Sequence, residues 1–377
     1  MRLDWEFGIL DDAVDKGSSN ISLNKIKDDD GEFPVFGAKG FVQNVSFYQQ
    51  ENQYLAIIKD GAGIGRVSIH PEKSSVLATM QYILPKQSYD IKFLYYFLNS
   101  INFNKYMTGS TIPHIYYKNY KLEPFPLISK EEQKQIVAKL DQCFEAINKA
   151  RANAAKNLEN AKELFQSKLN DIFSQKGEDW VEKKLGDVCK FTRGPFGGSL
   201  KKSIFVDDGV AVYEQNHAIY NQFEKIRYFI TNDKFEEMKR FELKPRDLIM
   251  SCSGTIGRTA IVPMHIKKGI INQALLKLSP GDSIISEYLK YWMESKDFND
   301  QLLKSTKGAA VQNVASVKVL KEIVMPLCDI ESQGNNIKFL DGLKEQTQSL
   351  ESKYQQELNS LEELKKSVLQ KAFEGEL

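Results

Sequence analysis

Residues 61–69 read GAGIGRVSI and residues 253–261 read SGTIGRTAI. Each is the centre of a hairpin-like stretch, in which a strand-like run (LAIIK at 55–59, DLIMS at 247–251) meets a glycine-bearing turn and a second run (RVSI at 66–69, RTAIV at 258–262). A glutamine follows each at equal distance, Gln81 and Gln273. Outward from these stretches the two halves of the chain align with small insertions. Trp5 pairs with Trp180 at an offset of 175, Phe36 with Tyr213 at 177, Arg66 with Arg258 at 192, and Leu94 and Phe97 with Leu289 and Trp292 at 195. Gly109 and Gly308 differ by 199, and from Pro126 through Leu140, Asp141, Leu164, Leu169 and Phe173 the offset is 200. The chain is a duplication, and its unit is a whole domain plus a helix, well above the periods of solenoid repeats.

Composition sets the bounds. At 377 residues, with 42% apolar and 27% charged, the chain fits a globular protein of two or three domains. The longest apolar runs, such as FLYYFL at 93–98, are far short of the roughly 18 residues of a membrane span. The opening MRLDWEFGILDD carries acids where a secretory signal needs an apolar core, and Cys143, Cys189, Cys252 and Cys328 lack C-x-x-C spacing. The expected location is the cytoplasm. Net charge is only +1, so distribution matters more than the sum. Between Ile101 and Lys121 there is no acid, while Lys105, Lys118 and Lys121 alternate with Tyr106, Tyr116, Tyr117 and Tyr120. The matching stretch from Gln301 to Lys321 is again acid-free and carries Lys304, Lys307, Lys318 and Lys321. Recurrence at one place in both halves points to a phosphate-contacting surface rather than two solvated loops.

Short strands and hairpins, each followed by a helix (Asp90 to Asn104, Ser286 to Leu303), read as an α+β domain without regular β-α alternation. The expected division is 1–129, a helix over 130–176, a second domain over 177–329 and a helix over 330–377. From Lys130 to Phe173 there is neither Gly nor Pro, and Val137, Leu140, Phe144, Ile147, Ala154, Leu158, Ala161 and Phe165 keep a three-four spacing, interrupted by Arg151. That is a coiled-coil seam. The last helix keeps Leu340, Thr347, Tyr354, Leu361 and Val368 in one column, but Lys344 and Glu351 break the other. At 1.5 Å per residue each helix spans roughly 65 Å. Gly177 permits reversal, so antiparallel packing would relate the halves by a pseudo-two-fold axis suited to two half-sites on a duplex. Parallel pairing of two chains would bury the same seams.

Catalytic motifs are not found. GAGIG leads into RVSIHP, a strand and turn, whereas a dinucleotide loop must open a helix whose N-terminus meets the anion. Its duplicate SGTIG dispenses with the first and middle glycines. There is no N-P-P-[YF], D-P-P-[YF] or G-K-[ST] motif; Glu132 with Lys134 and Glu237 with Lys239 read as solvated charges, and His70, His114, His217 and His265 lack metal-ligand spacing. An adenine methyltransferase and a coiled-coil scaffold without DNA affinity are the competing readings.

The KDGAGIGRV and SCSGTIGRT hairpins, the GSTIPHI and KGAAVQNV stretches, EPFPLISKEEQKQIVAKLD ahead of the first long helix and the closing LKKSVLQKAFEGEL resemble the specificity subunit of Type I restriction-modification systems. The resemblance spans the chain. It implies a non-catalytic subunit with two target-recognition domains, each reading one part of a split double-stranded DNA site. The helices would form an antiparallel spacer that docks two modification subunits, joined in the full complex by two restriction subunits. No cofactor is expected in this chain: S-adenosylmethionine would belong to the modification subunit, and ATP and Mg to the restriction subunit.

Features shared by both copies should maintain fold or grip phosphate, since domains reading different sequences cannot use identical base contacts throughout. Arg66 and Arg258 are thus candidate phosphate clamps, or salt bridges closing their hairpins. Gln81 and Gln273 could bond adenine edges or tie down a turn. Base readers should lie where the copies diverge: Lys39, Met80, His114, Tyr116 and Lys118 in the first half, and Arg193, Lys201, Lys202, Glu214, Gln215, Asn216, Lys307 and Asn313 in the second.

Overall fold

The structure, a computed structural model, describes residues 5–109, 112–175, 180–253, 255–306 and 317–376. It divides into two compact units, Met1–Lys156 with Tyr354–Leu377, and Asn157–Lys353. The first contains β1 (Phe7–Ile9), β2 (Val14–Ser18), β3 (Phe33–Gly37), β4 (Gly40–Val45), β5 (Tyr54–Ile58), β6 (Val67–His70), β7 (Ser75–Val76), β8 (Met80–Pro85) and β9 (Pro124–Pro126). The second contains β10 (Val181–Lys184), β11 (Cys189–Arg193), β12 (Val210–Tyr213), β13 (Tyr228–Ile230), β14 (Leu248–Ser251), β15 (Thr259–Ile261), β16 (Gly269–Ile271), β17 (Leu275–Pro280) and β18 (Val324–Leu327).

The duplication extends to every strand. An antiparallel sheet β2-β8-β5-β6 recurs as β11-β17-β14-β15. A smaller sheet β4-β3-β7, antiparallel then parallel, recurs as β13-β12-β16, and the pair β1-β9 recurs as β10-β18. Register fixes the correspondence. Val14 faces Pro85 as Cys189 faces Pro280, and Val45 faces Phe33 as Ile230 faces Val210. The offset therefore rises from 177 at Phe36/Tyr213 to 185 at Val45/Ile230 and 193 at Leu55/Leu248. Most of the extra length of the second domain enters on either side of β13, where helices Gln215–Tyr220 and Asn232–Glu237 are found. Equal distance in sequence misleads for one pair: Gln81, opposite Ser18 and Ile57, corresponds to Leu276, opposite Arg193 and Met250, so Gln81 and Gln273 are not equivalent.

Strand β5 is buried along its whole length, because its two faces serve two cores. Leu55 and Ile57 pack with Phe93, Leu94, Phe97 and the long helices, while Tyr54, Ala56 and Ile58 pack with Val76, Met80 and Tyr82. Its counterpart β14 divides alike, Leu248 and Met250 facing the helices and Ile249 the smaller sheet. The expected helix at Asp90 is Ile91–Ser100, with Asp90 accepting from the Lys92 and Phe93 amides. The run from Ser286 is two helices, Ser286–Glu294 and Lys296–Thr306. Extended Ser295 divides them: its hydroxyl donates to the Trp292 carbonyl at 2.6 Å, and its amide reaches the same carbonyl at 3.0 Å.

The long helices, Lys130–Ser174 and Ile330–Phe373, run antiparallel within each unit. In the first unit Arg151 meets Glu362 at 2.5 Å and Lys365 lies over Phe144. Phe373, from the closing motif, packs edge-on against Phe93 and Phe97 at 5.2 and 5.3 Å. In the second unit Leu169 and Leu340 share a core, and Lys344, which breaks the apolar column, rests over Phe165 and Tyr291. The seams are thus filled within one chain, and the interruptions at Arg151 and Lys344 each have a partner.

Two buried glutamines join helix to domain in the same way in both units. Gln133 accepts from the Asp90 amide at 2.8 Å and donates to the carbonyls of Ser88 and Ile128. Gln333 accepts from the Ile285 amide at 2.9 Å and donates to those of Ser283 and Cys328. Both are fully buried. The Tyr96 hydroxyl donates to Asp141 as that of Tyr291 does to Asp341, each at 2.5 Å.

Candidate nucleic-acid interface

In an antiparallel sheet, strand ends and neighbouring strand starts fall on one edge, and that edge collects most of the sequence candidates. In the second domain Arg193 ends β11, Cys252 follows β14, Arg258 precedes β15 and Gln273 precedes β17. Burial pushes the Cys252 thiol up to about 11 against the pull of neighbouring Arg193. The Asn272 amide donates to the Tyr213 carbonyl at 2.9 Å, which brings Glu214, Gln215 and Asn216 to the same edge. Glu214 and Gln215 are half-buried, Asn216 exposed. Among the described residues the buried Gln215 Oε1 has no hydrogen-bond partner, so a base contact through it requires the side chain to turn outward. Lys201 and Lys202 are exposed on the long loop after β11. Lys307 and Asn313 lie outside the described residues.

The corresponding edge of the first domain holds Lys59 and Asp60 after β5, Arg66 before β6 and Thr79 before β8. The Lys59 and Asp60 amides both donate to the Thr79 carbonyl, and Ile115 donates to that of Lys59. His114 is thereby brought to Asp60, with Nδ1 2.7 Å from Oδ1, and Lys59 approaches the other oxygen at 2.5 Å. Burial opposes ionisation of Asp60, but hydrogen bonds from His114 and Lys59 outweigh it and hold the carboxyl below its ordinary value. Tyr116 is half exposed, stacked near His114 and under the exposed Lys118. Lys39 is exposed in the turn joining β3 to β4.

The two hairpins share what their backbone requires. Gly65 and Gly257 have φ of +79° and +81°, and their amides donate to Ile58 at 2.9 Å and Ser251 at 3.0 Å. Arg66 and Arg258 follow them, both exposed, and among the described residues neither forms an ion pair with an acidic side chain. That favours a free cation over a salt bridge closing the hairpin. A Cβ on Gly63 would collide with the Arg66 guanidinium, so the arginine lies across its own turn.

Three expectations change. Met80 is 2% exposed within β8, packed with Tyr54 and Tyr82, and is unavailable to a base. Gln81 is 5% exposed and donates to the Gly17 and Tyr82 carbonyls, so it ties strand to strand. Gln273 is exposed and differs from it. The basic stretch of the first domain is also less basic in space than in sequence. Lys105 pairs with Glu123 and Lys121 with Asp11 at 2.9 Å; the Asp11 carboxyl is lowered by hydrogen bonds from Tyr117 and Lys121. Lys118 remains among the exposed cations, and in the second domain Lys304 and Lys318 do likewise. Gln133 and Gln333 escaped the sequence reading, although they recur at an offset of 200 within E-E-Q and E-S-Q.

The family model of the Type I restriction modification DNA specificity domain matches residues 2–157 and 177–360, one match on each copy. The chain belongs to this family. Its specificity domains are 25% identical over 324 residues to the Type I restriction enzyme EcoBI specificity subunit of Escherichia coli, a match covering 78% of this chain and 67% of that one. The fold is that of an HsdS subunit from Thermoanaerobacter tengcongensis (TM-score 0.64, 17% identity, 100% of this chain and 98% of that one). It also matches a chain from work on complex assembly and conformational transition of the type I R-M system (TM-score 0.76, 17% identity, 99% and 98%). Membership makes the chain a DNA-recognition component of a type I restriction-modification complex and not a catalyst in its own right. It leaves the self-contained methyltransferase and the scaffold without support. Among the described residues no helix is long and apolar enough to cross a membrane.

Proposed function

We propose that each domain reads one half of a split double-stranded DNA site in the cytoplasm, through the sheet edge that carries Arg66 in the first domain and Arg258 in the second. The observation that carries this reading is the combination of a strand-for-strand duplication with a length difference between β12 and β13, in the segment that begins at Glu214 on that edge. A shared frame supplies backbone grip, and the unshared segments supply sequence preference. Arg66 and Arg258 would meet phosphates; Lys39, His114, Tyr116 and Lys118 in the first domain, and Arg193, Glu214, Gln215, Asn216 and Gln273 in the second, would meet base edges. The long helices would set the distance between half-sites and dock two modification subunits, which bring S-adenosylmethionine; two restriction subunits would bring the ATP and Mg chemistry.

Mapping methylated adenines in DNA modified by the assembled complex tests the reading. A bipartite site with a fixed gap is expected. A single uninterrupted site, or methylation without sequence preference, would overturn it.

A further inference from the structure

Phe196 is 73% exposed on the loop joining β11 to β12, level with Tyr220 at 72% at the top of the exposed large apolar side chains. Singly exposed apolar side chains are ordinary, and what distinguishes this ring is the anchoring of the loop that carries it. Gly194 and Pro195, just before it, are buried. The Gly194 amide donates to the Leu275 carbonyl at 2.9 Å, and a Cβ on Gly194 would collide with the Asn272 carbonyl. The loop therefore leaves the sheet at a fixed point against the Asn272–Gln273 turn, and the next side chain is the exposed ring.

Its surroundings are cationic. From Val188 to Val206 there is no acid, while Lys190, Arg193, Lys201 and Lys202 flank the ring on both sides in sequence. Arg193 and Gln273 belong to the sheet edge assigned above to DNA. The corresponding segment of the first domain, residues 19–32, has no aromatic residue, and both segments end in acids, Asp28, Asp29, Asp30 and Glu32 in the first and Asp207 and Asp208 in the second. An apolar ring within a basic loop fits a polyanion with an apolar interior, and a base-paired step offers both: phosphates for the lysines and a stack that a phenyl wedge can part.

We propose that Phe196 is the wedge of the second domain, inserted at one base step of its half-site and so a determinant of that half-site's sequence through the ease of parting the step, an inference that rests on the duplex-reading function above. The first domain has no counterpart and reads its half-site without a wedge at this position.

The test uses the full complex with its modification subunit and a duplex carrying both mapped half-sites, with 2-aminopurine replacing one base at a time. Wild type should raise 2-aminopurine emission at one step of the second half-site. Phe196→Ala should abolish that rise and weaken binding by about tenfold or more, with emission in the first half-site unchanged. Phe196→Trp should retain both, since a planar ring still stacks. Wild-type emission and affinity in Phe196→Ala would overturn the wedge, as would an equal loss in Phe196→Trp. A wild-type complex that does not bind the mapped duplex would instead overturn the duplex-reading function, before any variant is compared.

Discussion

His70 is 6% exposed at the end of β6, stacked on Tyr54 at 5.3 Å and against Phe36 at 4.7 Å, with Nε2 2.7 Å from the Ser68 hydroxyl. Burial pushes its imidazole pKa down to about 4, whereas an unfolded chain titrates near 6.5. Between these values the unfolded state binds the extra proton, so the stabilisation is complete above about pH 6.5 and is lost as pH falls toward 4. The loss should be about 3 kcal/mol in the first domain. Hydrogen exchange of β5 followed from pH 7 to 4 checks it, and His70→Gln should flatten the profile; an unchanged slope in that variant would assign the loss to other groups. Arg258 offers a different residue-scale expectation. Exposed and without an acidic partner among the described residues, it should contribute one phosphate contact. Arg258→Ala should weaken binding on all duplexes alike and reduce the salt slope by about one. Titrations at several salt concentrations decide this, and unfolding of the second domain in Arg258→Ala would show a structural role instead.

At the scale of elements, the long helices and the central hairpins were legible because their signals are local: three-four spacing without Gly or Pro, and strand runs around a required glycine. What escaped depends on the third dimension. Met80 looked divergent and therefore available, but strand alternation turns it into the smaller core. Lys105 and Lys121 lay in an acid-free stretch, yet Glu123 and Asp11 reach them after folding. Ser295 divides a continuous helical pattern because its side chain competes for the Trp292 carbonyl. Gln133 and Gln333 read as ordinary polar positions of amphipathic helices, although each satisfies one amide and two carbonyls at the domain junction. Replacing Gln133 with leucine leaves those groups buried without partners and should destabilise the first unit by about 3 kcal/mol, with Gln333→Leu doing the same to the second. Denaturant unfolding with exchange resolved by unit separates the two effects, and a change below about 0.5 kcal/mol would show that water replaces the glutamine.

For the whole molecule, the proposed ruler makes a quantitative demand. Arg151 meets Glu362 in the first unit and Phe165 meets Lys344 in the second, and residues 152–158 and 353–359 are the heptads between these contacts in sequence. Removing both heptads together preserves the seam on each side and shortens each helix by about 10 Å. DNA rises about 3.4 Å per base pair, so the gap between half-sites should shorten by at most about three base pairs, with neither half-site sequence altered. Phase opposes length. A deleted heptad rotates an α-helix by about 20°, whereas three base pairs of a duplex with 10–10.5 base pairs per turn rotate it by roughly 100°. The shortened complex must therefore twist its DNA, and methylation should become slower as well as differently spaced. Methylation mapping with the doubly deleted chain reads gap and half-sites together. An unchanged gap would mean that the helices hold the domains without measuring the DNA, and a changed half-site would mean that helix and reading edge are not independent.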